Sequence, residues 1–197
     1  MFTVKKGIKE TITTGIQQCL ASSYWKSVSS EMSKLNAQTA VLQEYPTQAT
    51  CHYPFVRTNI SVKNAQWLSF SPADPNSIKA FKGTGQCILE IYSLYAPLRD
   101  LLSDSLLMLF LLRQGTLYNL LDQYFYQQAC NGYPLIYPNY GNVQMGNDED
   151  GKGLVWSPNK HIYATSLAFD FSYVQTFECQ LNGDLIKAIK ANWNLKQ

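Results

Sequence analysis

From His161 to Glu178 the chain alternates between bulky and small side chains over an unusually long stretch. Tyr163, Leu167, Phe169, Phe171, Tyr173 and Phe177 fall on one side of an extended chain. Ala164, Ser166, Ala168, Asp170, Ser172 and Thr176 fall on the other. Residues two apart share a face in a strand and not in a helix. The pattern therefore demands a sheet with one apolar face and one face of small and polar groups. A strand over about 161–178 rises ~3.3 Å per residue and reaches roughly 55 Å, far past the common length. Such a strand is expected to project beyond its own sheet or to bend at a bulge, offering a ribbon to a neighbour.

Two other strands are legible. Phe55–Val62 sets Val56, Ile60 and Val62 against Arg57, Asn59 and Ser61, which reads as a strand with one wet face. It follows Tyr45–Pro46 and Tyr53–Pro54, each of which holds the residue before proline extended. Trp67, Leu68 and Phe70 continue in extended chain, and the run Ser71–Asn76 signals a turn. Cys87–Tyr95 is apolar on both faces and is expected at the centre of the sheet. Gly83 and Gly85 before it predict a bend or bulge.

Helical periodicity is equally plain. Ile8, Ile12, Ile16 and Leu20 form one apolar stripe, predicting a helix over 5–21, with a break near Ser22 and a short helix to about 35. Pro97 suits a first helical turn. Leu98, Leu101, Leu102, Leu106, Leu109 and Leu112 then build a helix that runs to about Arg113 and stops at Gly115. A second helix over 116–129 ends at Asn131–Gly132. Residues 131–160, rich in Gly, Asn, Pro and Tyr, are expected to form a long loop or loose hairpin, a length that usually carries function. Asn182 is placed to cap a last helix over 180–197. The fold class expected is α+β in one domain over 1–197: a mixed or antiparallel sheet packed by the N-terminal helix and a Leu-rich helix pair.

Composition points away from several functions. Charged residues make up 15% of the chain, against a norm of about 25%, and there are 13 Tyr. Few charges and many amphipathic aromatics suit surfaces that partners cover. A net charge of +2 makes no field for nucleic acid. Lys5, Lys6 and Lys9 cluster at a helix start, where cations meet the unfavourable end of the dipole. The five cysteines, Cys19, Cys51, Cys87, Cys130 and Cys179, lie far apart and read as small core residues in a reducing compartment. No signal peptide is expected, and the longest apolar run, Leu106–Leu112, is far short of a membrane span of about 20 residues.

No catalytic pattern stands out. His52 and His161 have no partner in spacing, and Cys51 and His52 point to opposite faces of a strand. Lys82-Gly-Thr-Gly-Gln lacks the order of a phosphate loop. Asn147–Gly151 has oxygen ligands but not the length of a calcium loop. Glu90, Asp100 and Asp104 show no paired geometry for acid–base work. The expectation is a non-enzyme with no cofactor and no metal.

The order of elements resembles the tail terminator and tail-completion proteins of tailed bacteriophages, which sit at the head–tail joint. Three stretches carry the resemblance: Phe55–Val62; Cys87–Tyr95 leading into Leu98-Arg-Asp-Leu-Leu102; and His161–Tyr173. It implies a virion protein assembled in the host cytoplasm, forming a hexameric ring of copies that caps the tail tube and docks to the connector and neck subunits. Tyr137, Tyr140, Tyr163 and Phe177 are then interface candidates. Asp148, Glu149 and Asp150 are candidates to line a lumen through which DNA passes without specific binding, since carboxylates repel phosphate. The helix over 116–129, the 131–160 region and the last helix exceed the compact version of that family, leaving the station open among terminator, stopper and adaptor. Open alternatives are a baseplate, tail-tube or portal-adaptor subunit, and a small-ligand-binding module using Trp67, Tyr92, Tyr124 and Trp156. A further one is an enzyme with a cryptic Cys–His site.

Overall fold

Apolar side chains on both faces of a strand need neighbours on both edges, and Lys79–Ser93 (β3) has them. In the computed structural model, which describes residues 4–46, 52–69, 79–111, 116–150 and 161–176, β3 lies between Phe55–Ser69 (β2) and Tyr163–Thr176 (β6). Leu135–Met145 (β4) flanks β6, Glu149–Asp150 (β5) pairs with the start of β6, and Ala40–Leu42 (β1) lies outside β2. Only the β1–β2 pair is parallel. The fold is α+β, with a mixed open sheet and helices Val4–Leu20 (α1), Trp25–Val28 (α2), Ser30–Gln38 (α3), Ala96–Leu111 (α4) and Thr116–Cys130 (α5).

The register assigns the two faces. Val56, Thr58 and Ile60 of β2 sit opposite Ile91, Leu89 and Cys87, which sit opposite Thr165, Leu167 and Phe169 of β6. All of these are buried. The stripe Ile8, Ile12, Ile16 and Leu20 of α1 joins them in one core with Leu102, Leu106, Leu109 and Phe110 of α4 and Leu121 and Phe125 of α5. Side chains fix α1 to the sheet margin. Thr13 and Thr58 share a hydroxyl hydrogen bond of 2.8 Å. The Gln17 amide accepts from the Val41 N–H at 2.7 Å and donates to the Thr39 carbonyl at 3.1 Å, standing in for a strand.

The break expected near Ser22 is there. Trp25 Nε1 donates to the Cys19 carbonyl at 2.9 Å and turns the chain back under α1. Ser29 caps α3 through the Met32 N–H. The close of α5 also matches: Gly132 takes φ of +87°, and the Tyr133 and Gly132 amides return to the Gln128 and Ala129 carbonyls, a Schellman turn.

Four expectations are corrected. β6 does not overhang or bulge, because β3 pairs with it continuously from Ala80–Thr176 to Ser93–Tyr163; β2 and β3, at 15 residues each, match its length. The irregularities lie instead in β2, between Lys63 and Gln66, and in β4, between Pro138 and Val143. Gly83 and Gly85 make no bend. They sit opposite Tyr173 and Phe171, and a Cβ at Gly85 would collide with the Phe171 ring and come within 2.6 Å of the Ser61 carbonyl. Their role is to give the large rings of β6 room in a regular strand. The described part of 131–160 is not a loose loop, since β4 and β5 both pair with β6; Pro138 is tolerated because β4 is an edge. Cys130 is exposed, unlike Cys19 and Cys87, because it ends α5 on the outer side. The helix over 180–197, the turn at 71–76, Cys51 and Cys179 lie outside the described residues.

Candidate functional site

Helices pack on one face of the sheet. Among the described residues none covers the other. Down β2, β3 and β6 that bare face carries Arg57, Asn59, Ser61 and Lys63, then Thr84, Gln86, Ile88 and Glu90, then Ser166, Ala168, Asp170 and Ser172. These are exposed or half-buried, while their neighbours in sequence on the helix side are mostly fully buried. Eight of these twelve side chains are uncharged, and the charged ones are Arg57, Lys63, Glu90 and Asp170. Asp170 accepts from Asn142 Nδ2 at 2.7 Å and from Gln86 Nε2 at 3.3 Å, tying three strands together. Among the described residues the face offers hydrogen-bonding groups and no nucleophile beside a base.

One end of this face is closed by a polar clasp. Arg57 Nη1 donates to both oxygens of Glu90, at 2.8 and 3.1 Å, and the Tyr45 and Tyr92 hydroxyls donate to the same carboxylate at 3.1 and 2.9 Å. The Tyr45 ring lies 3.9 Å from the guanidinium carbon, a cation–π contact. Tyr45 thus holds the chain leaving β1 across the sheet, over the stacked rings of Phe55 and Tyr92. Burial, then the hydrogen bond with Tyr45 and the charge of Glu90, push the Tyr92 hydroxyl well above its ordinary pKa.

A second clasp left little trace in the sequence. Arg99, in the first turn of α4, is 5% exposed. Its guanidinium meets Asp100 at 2.7 Å, Asp150 at 2.8 Å and Asp148 at 3.2 Å. Desolvation opposes its charge; the hydrogen bonds and charges of these carboxylates outweigh that cost and raise its pKa. A lone arginine in a Leu-rich segment opposite a distant acidic run was the only sequence signal.

The structure separates most of the expected site residues. Asp148 and Asp150 are bound to Arg99, with about two thirds of each side chain still exposed, and Glu149 lies between them on β5. Tyr140 is not on the surface: its ring packs against Phe110 and its hydroxyl donates to Asp122 at 2.9 Å. Tyr137 is half-buried beside Ala129 and Leu135, and burial first, then the charge of Asp122, raise its pKa to about 12. Tyr163 stands edge-on to His161, ring centroids 5.1 Å apart. Phe177 lies outside the described residues. The four-aromatic pocket is not formed, because Tyr92 is on the bare face and Tyr124 packs at Gly15 of α1 in the helical layer; the Trp67 side chain and Trp156 are outside the described residues. The thiols of Cys19 and Cys87 are pushed up by burial, Cys19 to about 12, which leaves both as poor nucleophiles. No three ligating side chains come together for a metal among the described residues, and no described helix is long and apolar enough to cross a membrane. No family model and no curated protein matches the chain.

Proposed function

We propose that the chain is a non-enzymatic structural subunit of a bacteriophage neck or tail, acting as a ring of copies that ends the tail tube and joins it to the head connector. The observation that carries the reading is the one-sided sheet. The described helices lie on one face, and the opposite face presents mostly small, hydrogen-bonding groups over three long strands, with Arg57 paired to Glu90 and Asp170 held by Asn142 and Gln86. A surface of that kind is suited to burial against another protein, since Arg57, Glu90 and Asp170 already have partners within the face and lose less on leaving water. Tyr95 and Met145, 64% and 46% exposed, add apolar area at the margins. The order of strands and helices is the ground for choosing the neck, and a baseplate, tail-tube or portal-adaptor subunit is the alternative station.

In this reading the β5 segment reaches the lumen, and Asp148, Glu149 and Asp150 repel the phosphates of passing DNA. Purified protein examined by light scattering and electron microscopy is expected to form discrete rings that bind the ends of tail tubes. A chain that stays single while holding a metabolite refutes the proposal. Neutralising the three carboxylates and finding assembly and DNA passage unchanged removes the lumen assignment alone.

A further inference from the structure

The two edges of the sheet are finished differently. β1 covers only Phe55, Val56 and Arg57 of β2. At Leu42 the chain leaves the edge, its carbonyl taking the Thr58 hydroxyl at 3.2 Å. From Thr58 to Lys63, β3 pairs with every residue on the inner side, and no described strand lies outside. Proteins usually blunt such an edge with proline, charge or a bulge. This run has no proline, one charged residue at its end, and its irregularity only after Lys63. The β4 edge is blunted by Pro138 and by the register shift that follows, which leaves Val143–Met145 as a short regular run. In that run Met145 is 46% exposed.

Directions and faces agree. β4 is antiparallel to β6, β6 to β3, and β3 to β2, so β4 runs opposite to β2. Head-to-tail placement of two copies therefore sets β4 antiparallel against β2. Val143 and Met145 pair with Phe169 and Leu167, and Ile60 and Val62 with Cys87 and Gly85, so all four belong to the helix-side layer. An added strand would bring Met145 beside the half-buried Val62. We infer that the β2 edge Thr58–Lys63, which no described strand covers, receives the Val143–Met145 edge of β4 from a second copy, carrying the sheet from subunit to subunit. Heterologous pairing of this kind closes a ring where the rotation between copies closes, and main-chain hydrogen bonds supply its affinity. The inference rests on the reading of the chain as a self-assembling subunit.

The test uses the full chain and its mass in solution. In a strand, residues on one face send their N–H groups to one edge. Asn59→Pro and Ser61→Pro thus act on one edge, and Thr58→Pro and Val62→Pro on the other. The pair facing β3 is expected to lose the fold. The outward pair is expected to fold and to raise the dissociation constant of assembly at least tenfold. Met145→Lys should do the same from the other side, and it carries the test alone if neither proline pair folds. Mixing a folded proline variant with Met145→Lys should give a closed pair of two chains, because each keeps one sound edge. Variants that assemble like the wild type, or a mixture that yields no pair, overturn the edge pairing while leaving the assembly reading intact. A wild-type chain that is single at every concentration removes both.

Discussion

Phe169 and Ala168 are adjacent on β6 and lie in different worlds. Phe169 packs on Phe110 with centroids 4.6 Å apart and is 2% exposed, whereas Ala168 sits half-exposed on the bare face opposite Ile88. One face of this sheet is specified by what it must fill, the other by what it must not obstruct. The first tolerates no change of volume and the second tolerates changes that keep it flat.

Phe169→Ala should lower unfolding stability by about 3–5 kcal/mol in denaturant melts, the usual cost of an emptied aromatic site. A loss below about 1 kcal/mol would erase the contrast between the faces. Gly85→Ala should cost about 1–3 kcal/mol by overpacking against Phe171. Combined with Phe171→Leu it should recover part of that loss, since the two positions touch; simple additivity would rule out the ring-for-glycine account.

Arg99→Ala should cost about 1–2 kcal/mol, a figure held down because Asp100, Asp148 and Asp150 remain more than half exposed and screened. It should also speed amide exchange across β5 and lose its effect at high salt. Alkaline pH sharpens the comparison further. Cys19, Cys87 and Tyr92 have pKa values raised by burial, so the folded state keeps protons that the unfolded chain releases. Their contribution is complete below the unfolded values, about 8.5 for Cys and about 10 for Tyr. It drains as pH rises, by up to about 1.4 kcal/mol per group per pH unit. Melts between neutral pH and pH 11 should show that fall, and Cys87→Ala should make it shallower, leaving Cys19 and Tyr92 to carry the rest. Smallest of all, Ala168→Ser should stay within about 0.5 kcal/mol, so any effect it has on assembly is read without a change in fold.

Periodicity made the helices and the three long strands legible, because burial on one face forces a repeat that a sequence cannot hide. What it hid was relation. The alternation at 161–178 fixes the face of Phe169 but says nothing of β3 having the same length, so the strand looked too long for its sheet. Gly83 and Gly85 read as punctuation until Tyr173 and Phe171 were set opposite them. Tyr140 looked like surface until Phe110 gave its ring a buried neighbour and Asp122 took its hydroxyl. Arg99 found two of its three carboxylates, Asp148 and Asp150, about fifty positions away, a distance over which no local pattern extends. The candidate surface follows the same rule: its residues were readable as polar, its emptiness only from where the helices went.

The central ladder also dictates when this chain can become itself. β3 meets β6 through partners separated by 70 residues at Ser93–Tyr163 and by 96 at Ala80–Thr176. During synthesis the β2–β3 hairpin and the α4–α5 pair emerge first, with one whole flank of β3 still unmated until residue 176 has left the ribosome. Contacts of such long range make folding slow, and an open central strand is prone to wrong company in the interval. Nascent chains halted before residue 163 should accordingly depend on chaperones, and release past 176 should end that dependence.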